Sequence, residues 1–366
     1  MILMIKRIGK YTIKFLDEPL ISSFASVVGK PESEGPLKDG FDKIIYDSHA
    51  MKDTFEEAES LFQQEAVILA LSKWGGKAED IDFVFAGDLL NQCIASSFGL
   101  KGFSIPYLGQ YGACSTSAQN LIMSATFIES KAAKTALAVT SSHFCSAERQ
   151  FRFPLEYGGV RTPTAQRTVT GAGAFVIESA ENPAKSAKSP LLCPKISSAT
   201  VGKIIDLGVT DANNMGAAMA PAAADTLKTF FDDTGKLPSD YDMIFTGDLG
   251  IVGSKLLYEL MNEKGYNIKE NHRDCGLMIY DMNTQDVHAG GSGCGCGACT
   301  LSAYILPKLS KGEYKKVLYV ATGALMSATS GTQGNTIPSV AHLVELKCAK
   351  GQKEKQAVFV LPVCFI

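Results

Sequence analysis

The segments IDFVFAGDL (81–89) and YDMIFTGDL (241–249) form an internal repeat, with five identities in nine positions at an offset of 160 residues. Each segment has the apolar residues of a buried strand and ends in Gly-Asp. Each segment therefore predicts a strand with an aspartate at its carboxyl end. The duplication of Asp88 and Asp248 favours a structural role for both, the capping of the helix that follows each strand.

A second pair of segments repeats in the same order. KTALAVTS (134–141) matches KKVLYVAT (315–322), and each is a short apolar strand that ends in small residues. A glycine-containing turn, GACSTS (112–117) or GCGCGAC (293–299), precedes a helical pattern within each half. Strands that alternate with helices build a mostly parallel sheet covered by helices. We therefore predict an α/β fold of two pseudo-duplicated halves, residues 1–190 and 191–366, connected through residues 181–195.

Composition excludes several classes of protein. The 366 residues are 46% hydrophobic and 20% charged, which is typical of a globular chain rather than a disordered one. The net charge is −3 and no long basic run occurs, so nucleic acid is not an expected partner. Ten unevenly spaced cysteines indicate a reducing compartment. Because no apolar run is long enough for a secretory signal or a membrane span, we expect a cytoplasmic protein, which a partner could still attach to a membrane.

Cys114 is the strongest candidate for chemistry. It lies in Gly-Ala-Cys-Ser-Thr, where a predicted strand and turn give way to a helix. The free N–H groups and the dipole of a helix N-terminus stabilise a thiolate, which makes Cys114 a candidate nucleophile. The alternative is a buried cysteine that packs as a small hydrophobe, with Ser115 or Thr116 capping the helix.

The run GGSGCGCGACT (290–300) contains five glycines in eleven residues. Such a backbone can approach a ligand closely, and its N–H groups can bind an anion at the start of the next helix. Cys294, Cys296 and Cys299 suggest a metal site, but the chain has no matching Cys-x-x-Cys pair. Close packing at a helix start is the favoured interpretation, and we predict no metal site.

Other polar residues follow the same predicted sheet edge. His143 directly follows the strand ALAVTSS, where it could orient or deprotonate the Cys114 thiol, or be satisfied by loop backbone. Asn214 precedes the small-residue run MGAAMAPAAA (215–224), which could line a pocket or form a closely packed helix. Four arginines could receive a carboxylated ligand or form a charged surface: Arg149, Arg152, Arg161 and Arg167.

This arrangement resembles the thiolase and β-ketoacyl synthase superfamily. The resemblance implies a five-layered αβαβα fold with two pseudo-symmetric halves, a homodimer, and a nucleophilic cysteine at the position of Cys114. It also implies a histidine and an asparagine, or two histidines, from the second half. The loops expected to supply them read Thr246–Gly250 (TGDLG) and Gly293–Gly297 (GCGCG), without an imidazole or an amide. We therefore predict a protein that is not an enzyme and needs no cofactor.

A narrower resemblance is carried by several long blocks. GDLLNQCIASSF (87–98), IPYLGQYGACSTS (105–117), VTDANNMGAAMAPAAADT (209–226), TGDLGIVG (246–253) and AGGSGCGCGA (289–298) are similar to the stage V sporulation protein AD family. This resemblance implies a binding component of endospore formation that takes part in the uptake of dipicolinic acid into the forespore. The family is expected to act with membrane proteins of the same operon, at the spore inner membrane.

We therefore expect the chain to bind dipicolinic acid (pyridine-2,6-dicarboxylate), or its calcium chelate, in the cavity where related proteins bind acyl substrates. Calcium should arrive as the chelate, because the chain has no acidic loop of metal-binding spacing. Backbone N–H groups offer donors for the two carboxylates. The candidate contacts are Cys114, Ser115, His143, Arg152, Asn214, Cys294 and Cys296. The alternatives are an acyl-transfer enzyme with Cys114 as nucleophile and a structural scaffold for a membrane channel.

Overall fold

The computed structural model describes residues 5–152, 160–181, 183 and 193–348. The strands in this part of the chain are β1 (Ile5–Ile8), β2 (Thr12–Phe15), β3 (Leu20–Gly29), β4 (Lys43–Ile45), β5 (Phe83–Gly87), β6 (Tyr107–Gly109), β7 (Thr135–Ser142), β8 (Arg167–Thr168), β9 (Gly171–Glu178), β10 (Lys195–Thr200), β11 (Met243–Thr246), β12 (His272–Asp274), β13 (Gly291–Ser292), β14 (Lys316–Ala324) and β15 (Ser339–Lys347).

The α-helices in the same residues are α1 (Phe55–Trp74), α2 (Ile94–Leu100), α3 (Thr116–Glu129), α4 (Phe144–Ala147), α5 (Met215–Thr234), α6 (Gly250–Glu263), α7 (Cys275–Met278), α8 (Cys294–Thr300), α9 (Leu306–Ser310) and α10 (Ala328–Thr332). Local sequence explains their ends. The hydroxyl of Thr54, for example, accepts a hydrogen bond from the N–H of Glu57 at 3.2 Å, and α1 ends at Gly75 with φ +74°.

The strands follow a path in which two halves mirror each other. The order is β12-β11-β14-β15-β10-β3-β9-β7-β5-β6. In the first half β5 is parallel to β6 and β7, and β9 is antiparallel to β7 and β3. In the second half β11 is parallel to β12 and β14, and β15 is antiparallel to β14 and β10. The two halves meet where Lys195 pairs with Leu20. This path confirms the predicted duplication.

The helices and strands together form five layers. α1 packs on β3, β7 and β9, and α5 packs on β14 and β15, so these two helices cover the outer faces. α3 and α8 lie between the two halves, because α3 contacts β5, β7, β14 and β15 while α8 contacts β7, β9 and β14. The largest hydrophobic cluster fills this central layer. The boundary predicted between residues 190 and 191 lies outside the described residues and stays a prediction.

The predicted strands are confirmed, but one predicted turn is wrong. Residues 293–299 were expected to precede a helix, whereas α8 begins at Cys294 and includes most of this run. A Cβ on Gly295 would lie 2.5 Å from the carbonyl oxygen of Gly171, and one on Gly297 would lie 2.2 Å from the hydroxyl of Tyr319. The glycines therefore let the helix approach its neighbours closely, in spite of their low helix propensity.

Candidate functional site

Cys114 lies in a tight turn between β6 and α3. Ala113 has φ +49°, which is uncommon for a residue with a Cβ, and the side chain of Cys114 is 7% exposed. The Ser115 hydroxyl donates to the carbonyl oxygen of Gly112 at 2.6 Å, and the Thr116 hydroxyl donates to that of Ala113 at 2.7 Å. Ser115, a predicted ligand contact, is buried and holds the turn.

The second half supports this turn through Gly323 on β14. A Cβ on Gly323 would lie 2.2 Å from the carbonyl oxygen of Gly112, 3.0 Å from the nitrogen of Ser115 and 3.3 Å from the nitrogen of Cys114. Only glycine allows this approach. Cys114 is therefore positioned by both halves of the chain.

Asp248 is the side chain that the structure adds to the site. A side-chain hydrogen bond with Cys114 lowers the pKa of its carboxyl group. The same carboxylate accepts from the N–H of Gly293 at 2.9 Å, from the hydroxyl of Ser292 at 3.2 Å and from the hydroxyl of Thr322 at 2.8 Å. Burial raises the pKa of Asp248, and these hydrogen bonds counteract the increase.

The capping role predicted for both repeated aspartates is confirmed only for Asp88. Its carboxylate accepts from the N–H groups of Leu90 and Ser96, each at 2.8 Å, and so caps α2. In the second half it is Asp274 that accepts from the N–H groups of Leu249 and Gly250, at 2.8 and 2.9 Å. For Asp248 the prediction is wrong, because Asp274 caps α6 and the carboxylate of Asp248 lies beside Cys114.

Asp274 and His272 are both buried and both contact the Thr246 hydroxyl. The Thr246 hydroxyl donates to Asp274 at 2.6 Å and lies 2.9 Å from Nε2 of His272, whose Nδ1 lies 2.9 Å from the Tyr258 hydroxyl. Burial, together with the nearby charge of Asp248, raises the pKa of Asp274 to about 7. Burial lowers the pKa of His272 to about 3, which keeps this imidazole neutral at physiological pH.

Cys294 lies close to Cys114, in a small apolar cluster that also contains Leu89 and Ala113. Its thiol donates to the carbonyl oxygen of Ser141 at 2.9 Å. Burial raises the pKa of Cys294 well above its ordinary value, and electrostatic interactions with Cys114, Glu59 and Asp88 add to this effect. Cys294 is therefore a neutral, buried thiol next to Cys114.

Two N–H groups of the glycine-rich run, in which the sequence suggested ligand donors, are used within the protein. The N–H of Gly293 is bound to Asp248, and that of Gly295 donates to the Ser142 hydroxyl at 3.1 Å. The thiol of Cys296 is buried and donates to the carbonyl oxygen of Gly247 at 3.5 Å. Close packing at a helix start, the favoured interpretation, is what the structure shows.

His143 is satisfied by backbone, the second of the two interpretations that the sequence left open. Its Nε2 lies 2.9 Å from the carbonyl oxygen of Ser48, and its Nδ1 accepts from the N–H of Cys145 at 3.2 Å. It packs against Phe55 and Phe62, and burial lowers its pKa to about 4. Both ring nitrogens are occupied, so His143 does not act on Cys114 in this arrangement.

Asn214 and the arginines have structural partners. The side-chain oxygen of Asn214 caps α5 through the N–H of Ala217 at 3.3 Å. Arg149 pairs with Glu56, Arg161 pairs with Asp286, and Arg167 lies over the ring of Phe144. The side chain of Arg152 lies outside the described residues, so its predicted contact with the ligand stays a prediction.

Asp248 and Cys294 thus lie beside Cys114, and Ser292 and Thr322 bind the carboxylate of Asp248. Thr322 ends one of the repeated strands. Asp248 lies in one of the two loops that were expected to carry catalytic residues, and Ser292 directly precedes the other. The sequence therefore held a signal for each of these three residues. Within the described ranges, no group of three or more His, Cys, Asp or Glu side chains is arranged to hold a metal ion. The cluster pairs a thiol with a buried carboxyl group and lacks an imidazole.

Comparison with known proteins gives the family and the fold. The family model for stage V sporulation protein AD matches residues 9–347. The stage V sporulation protein AD of Bacillus subtilis (strain 168) is 43% identical over 346 residues, which are 94% of this chain and 99% of the relative.

Two solved structures share the architecture. 3-Oxoacyl-[acyl-carrier-protein] synthase III from Aquifex aeolicus VF5 has a TM-score of 0.53 and 14% identity, over 90% of this chain and 99% of its own. Acetamide-bound OleA from Xanthomonas campestris has a TM-score of 0.56 and 13% identity, over 93% and 100%. At these identities the likeness shows the fold alone, and it confirms the predicted thiolase-like fold.

Proposed function

This chain belongs to the stage V sporulation protein AD family, and on that premise we propose that it binds dipicolinic acid, or its calcium chelate, beside Cys114 for uptake into the developing spore. The observation that carries this proposal is the fully buried carboxyl group of Asp248 beside Cys114. Asp248 lies in the loop where the resembling enzymes are expected to have an imidazole. A carboxyl group buried at this place favours ligand binding over acyl transfer, which supports the proposal that the chain is not an enzyme.

The buried acidic groups near Cys114 favour the chelate over the free dianion. Asp248 and Asp274 are buried on one side, and Glu59 and Asp88 are within electrostatic range of the neighbouring Cys294. Burial, followed by the charge of Asp88, raises the pKa of Glu59 to about 8. Buried acidic groups resist further negative charge, whereas calcium neutralises both carboxylates of its ligand. Tyr111 is 49% exposed three residues before Cys114 and offers a ring for the planar pyridine.

Calorimetric titration tests this proposal. Dipicolinate should bind about tenfold more tightly with calcium than without it, a difference of about 1.4 kcal/mol. Cys114→Ala should weaken binding about fivefold, because one hydrogen bond that orients Asp248 is lost. Cys193→Ala, a half-buried cysteine before β10, is the matched control and should leave the affinity unchanged.

A second ligand separates chelate binding from general attraction of a dicarboxylate. Benzene-1,3-dicarboxylate has the same carboxylate spacing but no ring nitrogen for calcium, and it should bind weakly with or without the metal. Absence of saturable dipicolinate binding under both conditions would contradict the proposal. Equal losses in the Cys114 and Cys193 variants would show that the ligand lies elsewhere.

Acyl transfer on Cys114 is the second candidate, since a thiol that donates to a carboxylate has a possible proton acceptor. We expect no stoichiometric acylation when the protein is incubated with acyl-CoA, because no imidazole shares the cluster. Intact-mass spectrometry measures the outcome, with Cys114→Ala as the control. One acyl group per chain that disappears in this variant would favour the enzyme.

A homodimer across β6 is also part of the proposal. β6 is the edge strand of the first half, and its neighbourhood exposes Phe98 (54%), Tyr107 (38%) and Leu108 (39%). Natural proteins cover such open apolar edges. Light scattering should give twice the mass of the chain for the wild type and the single mass for Leu108→Lys. A monomeric wild type would contradict this arrangement.

Membrane association would then depend on partners. None of the helices in the described part of the chain is long and apolar enough to cross a bilayer. We propose that the chain lies in the cytoplasm or forespore and docks on membrane proteins of its own operon at the spore inner membrane.

A further inference from the structure

We propose that a second site, a lysine-rich cavity far from Cys114, binds a compact oxyanion of the phosphate class. The cavity has a volume of about 350 Å³, and four of its lining residues are Lys14, Lys236, Lys316 and Lys347. It lies at the start of β14, whereas Gly323 beside Cys114 lies near the end of that strand. Seven residues of strand separate the two places by roughly 23 Å. The cavity is therefore separate from the dipicolinate site.

The acid among the lining residues is already neutralised. Glu345 is 2% exposed and accepts from Lys236 at 2.6 Å, from the Tyr241 hydroxyl at 3.0 Å and from the hydroxyls of Ser197 and Ser198 at 2.7 and 2.6 Å. These donors use both carboxylate oxygens. Glu345 therefore does not compensate the positive charges of the other lysines in the cavity.

The strand register places like charges side by side. Lys347 is directly opposite Lys316 on β14 and directly opposite Lys195 on β10. Like charges in opposed positions destabilise a sheet. Glu18 partly relieves this repulsion, because it lies 2.9 Å from Lys347 and 3.6 Å from Lys195. Lys14 and Lys316 form no ion pair with any residue that the structure describes, and both are exposed. A bound anion would relieve the remaining repulsion.

The size and the donors indicate the class of ligand. A cavity of this volume suits a small molecule or a headgroup rather than a protein segment. Lysine ammonium groups act as compact point charges that bind phosphate well. A free phosphate compound and a phospholipid headgroup share this chemistry, so one experiment must distinguish the two sources.

The experiment uses the full chain, pyrophosphate and lipid vesicles at low ionic strength. Pyrophosphate should bind saturably, and the double variant Lys14→Gln/Lys316→Gln should weaken its binding at least about tenfold. Lys52→Gln/Lys255→Gln removes the same charge from exposed lysines without ion pairs in the described residues, and it should leave the affinity unchanged. The cavity variant should melt at the same or a higher temperature in phosphate-free buffer, because it loses like-charge repulsion.

Sedimentation with vesicles identifies the source. If the ligand is a headgroup, phosphatidylglycerol vesicles should retain the wild type and the control variant but not the cavity variant, and phosphatidylcholine vesicles should retain none of them. Binding of pyrophosphate without binding to vesicles assigns the cavity to a free phosphate compound. The proposal is overturned if neither probe binds, or if the control variant loses as much affinity as the cavity variant.

Discussion

Gly323→Ala is expected to lower the free energy of unfolding by about 2–3 kcal/mol and to abolish measurable dipicolinate binding. The added Cβ would lie 2.2 Å from the carbonyl oxygen of Gly112, so either β14 or the Cys114 turn must move. Both are buried, and a displaced turn would separate the Cys114 thiol from Asp248. Chemical denaturation gives the stability, and calorimetry at a temperature where the variant stays folded gives the binding.

Gly102→Ala is the matched control for this substitution. A Cβ on Gly102 would meet nothing within 4 Å, and the same single methyl group is added. Its free energy of unfolding should lie within about 0.5 kcal/mol of the wild type. If Gly323→Ala proved equally neutral and bound dipicolinate normally, the close approach of β14 to the Cys114 turn would not matter for binding.

Asp274→Asn is expected to change the pH dependence of stability. The folded-state pKa of Asp274 is raised to about 7, well above its ordinary value, so the folded protein binds a proton that the unfolded chain releases. The contribution of this group is greatest below about pH 4 and is lost as the pH rises through about 7. Between pH 5 and pH 8 the wild type should lose about 2–3 kcal/mol from this group, and the variant should not.

Denaturation of both proteins at pH 5 and pH 8 measures this effect as a difference. Asparagine cannot accept from all three donors of Asp274, so the variant should also lose about 2 kcal/mol at either pH. Its stability relative to the wild type should nevertheless improve towards pH 8. Asp53→Asn, at an exposed position, should show no such trend. A difference that stays constant with pH would mean that Asp274 is ionised throughout this range.

The sheet could be predicted because its strands are continuous apolar runs. β5, β7, β11 and β14 all lie where the repeat placed them. The start of α8 could not be predicted, because five glycines in eleven residues normally argue against a helix. The helix forms there because Gly295 and Gly297 fit against Gly171 and Tyr319 from distant parts of the chain.

The candidate site could be predicted only in part, because some of its contacts also come from distant parts of the chain. Cys114 follows from its position before a helix, which is a local signal. Asp88 and Asp248 have the same local sequence, Gly-Asp-Leu, and their roles differ only because Asp274 reaches the N-terminus of α6. His143 was consistent with two interpretations, and its burial against two phenylalanine rings decided between them.

The different roles of Asp88 and Asp248 have a consequence for engineering the chain. Because Asp274 caps α6, a substitution of Asp248 should leave the N-terminus of that helix intact and change only the surroundings of Cys114. The same substitution at Asp88 would remove hydrogen bonds to Leu90 and Ser96 at the start of α2. The two halves share one scaffold, but only the second half can be altered at this position without loss of a helix cap.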